Sequence, residues 1–162
     1  MTPLSNLDID KIMINCTHYR GTFSKDMLPK RMNKNESIVV NLQDYFAGSG
    51  THWVCVYNEE KSNTVDYFDS FGLVPPIEVI KYVKATNKPL VYNDSQFQDI
   101  NSILCGYYCL YYIMERNNGR TAADVLSDFH EKPTMFNERF MKFYARYIKD
   151  NGNLLCSRKK KN

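Results

Sequence analysis

Gln98-Asp-Ile-Asn-Ser-Ile-Leu-Cys105-Gly106-Tyr-Tyr-Cys-Leu-Tyr-Tyr112 carries a polar loop into an apolar helix, with a cysteine and a glycine at the junction. The run from about Ile103 to Asn117 is apolar on nearly every side, which predicts a helix buried in the core. A thiol in the first turn of a helix feels the partial positive charge of unpaired N–H groups, which favours thiolate. The same N–H groups can hold negative charge developing on a carbonyl oxygen. Asn101 and Ser102 are placed to cap this helix, and Gly106 leaves the backbone beside the sulfur uncrowded. Cys109, one turn deeper, reads as core.

Working back along the chain, three short β-branched or aromatic runs predict strands: Ser37 to Leu42, His52 to Tyr57 and Thr64 to Asp69, with a further one over Pro89 to Asn93. If Tyr57 faces Thr64 across a turn of residues 58–63, opposed positions sum to 121 and His52 faces Asp69. Opposed residues of an antiparallel pair share a face with Cβ atoms about 5 Å apart, close enough for an imidazole–carboxylate hydrogen bond. An odd slip would separate them.

Helices are predicted at both ends. Ser5 caps a short one running to Met13, and Pro75-Pro76 starts a surface helix with apolar Ile77, Ile80 and Val83. Thr121 opens another with capping-box character, and Thr134 to Lys149 forms the last. Residues 15–37, polar and broken by Gly21 and Pro29, read as a long surface loop. A helix, then clustered strands, then helices is an α+β order: a small mixed sheet packed against the central helix that carries Cys105.

At 162 residues the chain fits one domain, taken as 1–156 with a basic tail from 157 to 162. Apolar residues make up 43%, too many for a disordered chain. The N-terminus lacks the basic and apolar regions of a signal peptide, and no apolar run is long enough to span a membrane, so secretion and membrane residence are not expected. Five scattered cysteines do not resemble a secreted disulfide framework, and reduced thiols are the expectation. The cysteine and histidine spacings lack zinc-knuckle form, so no metal is expected. Residues 132–162 carry nine Lys or Arg against two acids, or +7, whereas residues 1–131 sum to −4. This basic third suits either a solvated terminus or non-specific contact with nucleic-acid phosphates.

Cys105 is thus the candidate nucleophile, His52 its base, and Asp69 the carboxylate that orients the base. His18 and His130 read as surface histidines. An amide from Gln98 or, equally, Gln96 can join the backbone N–H of Cys105 in receiving an oxyanion. Trp53 either walls a substrate cleft, together with Gly50 and Gly106, or fills the core.

The set Gly50-Thr-His52-Trp53, Phe68-Asp69-Ser-Phe71-Gly72 and Gln98-x-x-Asn101-Ser102-x-x-Cys105-Gly106-x-x-Cys109 resembles the adenain family of adenovirus-type maturation proteases. That family shares its chain order of His, acid, Gln and Cys with the ubiquitin-like-protein proteases. Tyr19 to Pro29 resembles the N-terminal block of adenain-like proteins from virophages and Maverick/Polinton elements. The resemblance implies a cysteine endopeptidase fold and activity, favours Gln98 over Gln96, and suggests viral capsid precursors cut near glycine as substrates. It implies a monomer in the virion, host nucleus or viral factory, and no cofactor for the chemistry. DNA or a viral peptide is implied as activator, although residues 70–104 hold no cysteine to bond such a peptide. Asp69 stands where adenain has Glu, as it does in the ubiquitin-like-protein proteases.

Overall fold

The computed structural model describes residues 1–44 and 52–157, with side chains to residue 152. Gly50 and the last five residues of the basic tail lie outside this description. Five strands form one mixed sheet in sequence order: β1 (Tyr19–Ser24), β2 (Glu36–Asn41), β3 (Trp53–Asn58), β4 (Val65–Phe68) and β5 (Leu90–Tyr92). The inner pairs β2–β3 and β3–β4 are antiparallel, and the outer pairs β1–β2 and β4–β5 are parallel. The predicted α+β class is the one observed.

Helix α1 (Asn6–Met13) begins at a Ser5–Asp8 capping box. Helix α2 (Ile77–Lys84) covers one face of the sheet, where Val79, Tyr82 and Val83 meet Ile38, Val40, Val54, Val56, Val65 and Tyr67. The other face carries Val39, Trp53, Cys55, Tyr57 and Phe68, which pack on α3 (Cys105–Asn117), the central helix. Helices α4 (Ala122–Leu126) and α5 (Met135–Ser157) complete that layer with α1. Because β2, β3 and β4 are covered on both faces, they are buried along their whole length, the polar Glu36, Ser37, Asn41, Asn58 and Asp66 included.

Several expectations are corrected. Residues 15–37 are not all loop: Tyr19–Ser24 forms edge strand β1 and Lys25–Met27 a 3-10 turn. Its half-exposed polar sequence hides the strand, which is held by parallel pairing to β2. On α2 it is Val79, Tyr82 and Val83 that are buried, while Ile77 and Ile80 face outward. The helix is rotated because Tyr82 reaches a buried Glu36 carboxylate, itself paired with Arg20 Nη1 at 2.7 Å. Cys55, Cys105 and Cys109 are free thiols, but Cys16 is disulfide-bonded, against the expectation of reduced thiols throughout. Among the described residues, no helix is long and apolar enough to cross a membrane.

Candidate active site

The β3–β4 ladder pairs Cys55 with Phe68, Val56 with Tyr67 and Asn58 with Val65. These pairs sum to 123, two more than expected, so the slip is even and every side chain keeps its predicted face. Phe71 lies in the turn beyond the ladder, and its ring stacks on that of His52 with centroids 4.4 Å apart. Asp69, just past the end of β4, reaches the imidazole: His52 Nε2 donates to Asp69 Oδ1 at 2.6 Å. The backbone carbonyl of His52 accepts from Leu42 N at 3.1 Å, which ties the residue to β2 just before β3 begins.

A carboxylate only accepts, so whenever the imidazole is neutral this bond keeps its proton on Nε2. Nδ1 then carries the lone pair. It is buried and has no hydrogen-bond partner among the described residues, leaving it as the nitrogen available to a thiol. Burial disfavours the charged imidazole, but the Asp69 hydrogen bond and the neighbouring Cys105 outweigh that cost and push its pKa up to about 9. His52 and Cys105 thus form an interacting pair that keeps a narrow solvent opening, with 8% and 7% of their surfaces exposed.

Cys105 opens α3, as expected, but the cap differs. Leu104 is the N-cap and supplies no side-chain bond, while Ser102 Oγ accepts from Leu104 N at 3.2 Å in the loop before it. The Cys105 N–H is therefore one of the first-turn donors that the helix itself leaves unused. Cys55 and Cys109 are fully buried behind it, and burial raises the Cys109 thiol well above its ordinary range.

Gln98 and Gln96, chemically equal in sequence, are separated by the structure. The Gln98 side chain is buried, its Nε2 donates to the Ser102 carbonyl at 2.9 Å, and its Oε1 accepts from Ser70 Oγ at 2.5 Å. Gln96 instead donates to the Gln98 carbonyl at 3.0 Å. The amide of Gln98 therefore faces the loop that delivers Cys105.

Gly106 is not uncrowded. A Cβ there would lie 3.2 Å from Leu4 and 3.4 Å from Trp53, and the Trp53 indole N–H donates to the Leu4 carbonyl at 3.0 Å. The N-terminal segment thus packs directly beside the nucleophile's turn, and Trp53 is largely buried in the core with it.

Three contributors were not singled out from sequence. Asn93, at the end of β5, accepts from Asp69 N at 3.0 Å and donates to Asp69 O at 2.6 Å, holding that backbone from both sides. Phe71 donates its N–H to Asp69 Oδ1 at 2.8 Å. Ser70 binds Gln98. The only signal in the sequence is their place beside predicted site residues or at a strand end. Among the described residues no group of three or more His, Cys, Asp or Glu could hold a metal ion.

No protein-family model matches the chain. Over 95 residues it is 26% identical to the SUMO-1 cysteine protease of African swine fever virus, a match covering 52% of this chain. That match spans only 35% of the length of the viral relative. The crystal structure of a protease from the same virus superposes with a TM-score of 0.61 at 18% identity, covering 86% of this chain and 66% of that one. The central domain of an uncharacterized Legionella pneumophila protein superposes with a TM-score of 0.52 at 12% identity, covering 93% of this chain and 99% of the domain. The chain therefore has the fold of a viral cysteine protease and, over half its length, a sequence similar to one.

Proposed function

We propose that this chain is a cysteine endopeptidase that cleaves viral structural precursor proteins during virion maturation, at bonds near glycine. The observation that carries the reading is the His52–Asp69 bond, which leaves Nδ1 unpartnered beside a cysteine at the start of a buried helix. In the mechanism, His52 Nδ1 takes the proton of Cys105 and Asp69 holds the ring and its tautomer. The sulfur attacks the scissile carbonyl, and the Cys105 N–H and the Gln98 amide receive the oxyanion. The imidazolium then protonates the leaving amine, giving a thioester that water hydrolyses with His52 again as base. The narrow opening at Cys105 and His52 supports small residues beside the cut.

The decisive test incubates the protein with candidate capsid precursors, with and without DNA, and maps new termini by mass spectrometry. Cleavage should be present in the wild type and absent in Cys105→Ala. Equal cleavage by that variant would remove Cys105 from the role.

A second reading keeps the chemistry and changes the substrate to a ubiquitin-like protein joined by an isopeptide bond. It is favoured by the relative from African swine fever virus, described as a SUMO-1 cysteine protease. Adducts with ubiquitin-like vinyl sulfone probes would support it. We further propose DNA as an activator, held by the basic C-terminal third, where Arg139, Lys142, Arg146 and Lys149 are exposed on α5. Such binding should fall steeply with salt. Localisation in the virion, the host nucleus or a viral factory is part of the same proposal.

A further inference from the structure

Gln98 can receive an oxyanion only if its amide points the right way, and two groups set that direction. The Ser102 carbonyl can only accept, so the nitrogen of the amide must face it. That contact uses one of the two N–H bonds of an amide that is wholly buried. The opposite end, Oε1, accepts from the buried Ser70 hydroxyl at 2.5 Å. The Ser70 carbonyl also accepts from Phe97 N at 2.8 Å and from Gln98 N at 3.1 Å. Ser70 therefore grips both the backbone and the side chain of Gln98, while the preceding residue, Asp69, grips His52.

We propose that Ser70 is a positioning residue that aims the Gln98 amide at the oxyanion, so that one turn, Asp69 to Gly72, aligns both base and oxyanion donor. This rests on the peptidase reading above. Ser70→Ala removes only the hydroxyl contact, because the backbone contacts remain. Oε1 is then a buried acceptor without its partner, and the amide can swing about its last torsion.

Two reagents separate the roles. Acetyl-glycyl-glycinal adds reversibly: the sulfur forms a C–S bond to the aldehyde carbon, the C=O π pair moves to oxygen, and that oxygen takes the proton relayed from the thiol through His52. The oxygen of this adduct forms at the oxyanion position and accepts hydrogen bonds from the donors there. Iodoacetamide forms a C–S bond at its methylene as iodide leaves, and builds no oxyanion, so it reports only on the thiol–imidazole pair.

Ser70→Ala should weaken aldehyde binding about tenfold, with the alkylation rate of Cys105 and its pH profile unchanged, while the melting temperature falls because Gln98 Oε1 loses its buried partner. In a Gln98→Ala background the same substitution should have no further effect, since both act through one amide. Should Ser70→Ala not fold, Ser70→Cys, a weaker donor of similar shape, should give an intermediate loss. Unchanged aldehyde affinity, additive losses in the double variant, or an equal loss of alkylation would overturn the proposal and leave the peptidase reading standing. A wild-type Cys105 inert to both reagents would overturn both.

Discussion

Phe71 stacks on the imidazole of His52, with ring centroids 4.4 Å apart and planes inclined by 27°, while its own backbone N–H donates to the carboxylate that orients that imidazole. One residue thus closes a face of the base and orders its partner. The stacking also shields the His52–Asp69 bond from water, where a charge-assisted hydrogen bond is stronger.

The raised His52 pKa has a signed consequence. The group holds its proton more tightly folded than unfolded, where imidazole titrates at about 6.5. Its contribution to stability is therefore complete below that value and is lost as pH rises through about 9. In the proposed mechanism the protonated ring is also the acid for the leaving amine, so kcat/KM should fall on the alkaline side near 9. Asp69→Asn should move that limb to lower pH and reduce kcat by roughly 10²–10⁴. A pH profile of both proteins checks this, and an unmoved limb would contradict the role of Asp69.

Among the described free thiols, Cys105 keeps 7% of its surface exposed, whereas Cys55 and Cys109 are fully buried. Brief native labelling with iodoacetamide followed by peptide mapping should find Cys105 modified and the other two intact. Modification of Cys109 at a comparable rate would show that α3 is not packed as described.

Gly106 admits Leu4 and Trp53 to the turn of the nucleophile. Gly106→Ala puts a methyl 3.2 Å from Leu4 and 3.4 Å from Trp53. Overpacking of this kind costs about 1–3 kcal/mol, and the shift falls on the residue next to Cys105. Denaturant unfolding should show the loss, accompanied by slower alkylation of the thiol.

Gly72 closes the turn that carries Asp69 and Ser70. Its φ is +70°, and a Cβ would lie 2.6 Å from the Ser95 carbonyl oxygen. Gly72→Ala should displace that turn from the Ser95 loop and depress both stability and cleavage more than Gly106→Ala does. Comparison of the two melting temperatures decides it.

Asn93 holds the Asp69 backbone with a donor and an acceptor. Asn93→Asp keeps the acceptor, loses the donor to Asp69 O and places a second carboxylate beside Asp69. Destabilisation of about 1–3 kcal/mol is expected, because the Asp69 carbonyl keeps only its bond from Gly72 N and the new carboxylate lies beside that of Asp69, and activity should fall with it. Thermal melts and a cleavage assay would both have to be unaffected for this account of Asn93 to fail.

The sequence by itself determined what short-range physics controls. Period and β-branching marked the inner strands β2, β3 and β4, uniform apolarity marked α3 as the buried helix, and residue chemistry marked His52, Asp69 and Cys105. The ladder's even offset kept the residues of β3 and β4 on their predicted faces, because side-chain direction in a strand depends only on parity. Tertiary structure alone decided the rest. It recruited Tyr19–Ser24 as an edge strand, rotated α2 about the buried Glu36, tied the Gln98 side chain to Ser70, and packed Leu4 beside Gly106 and Asn93 against Asp69. Each depends on a partner distant in the chain, and a backbone or amide contact made across such a distance leaves no periodic trace in either segment.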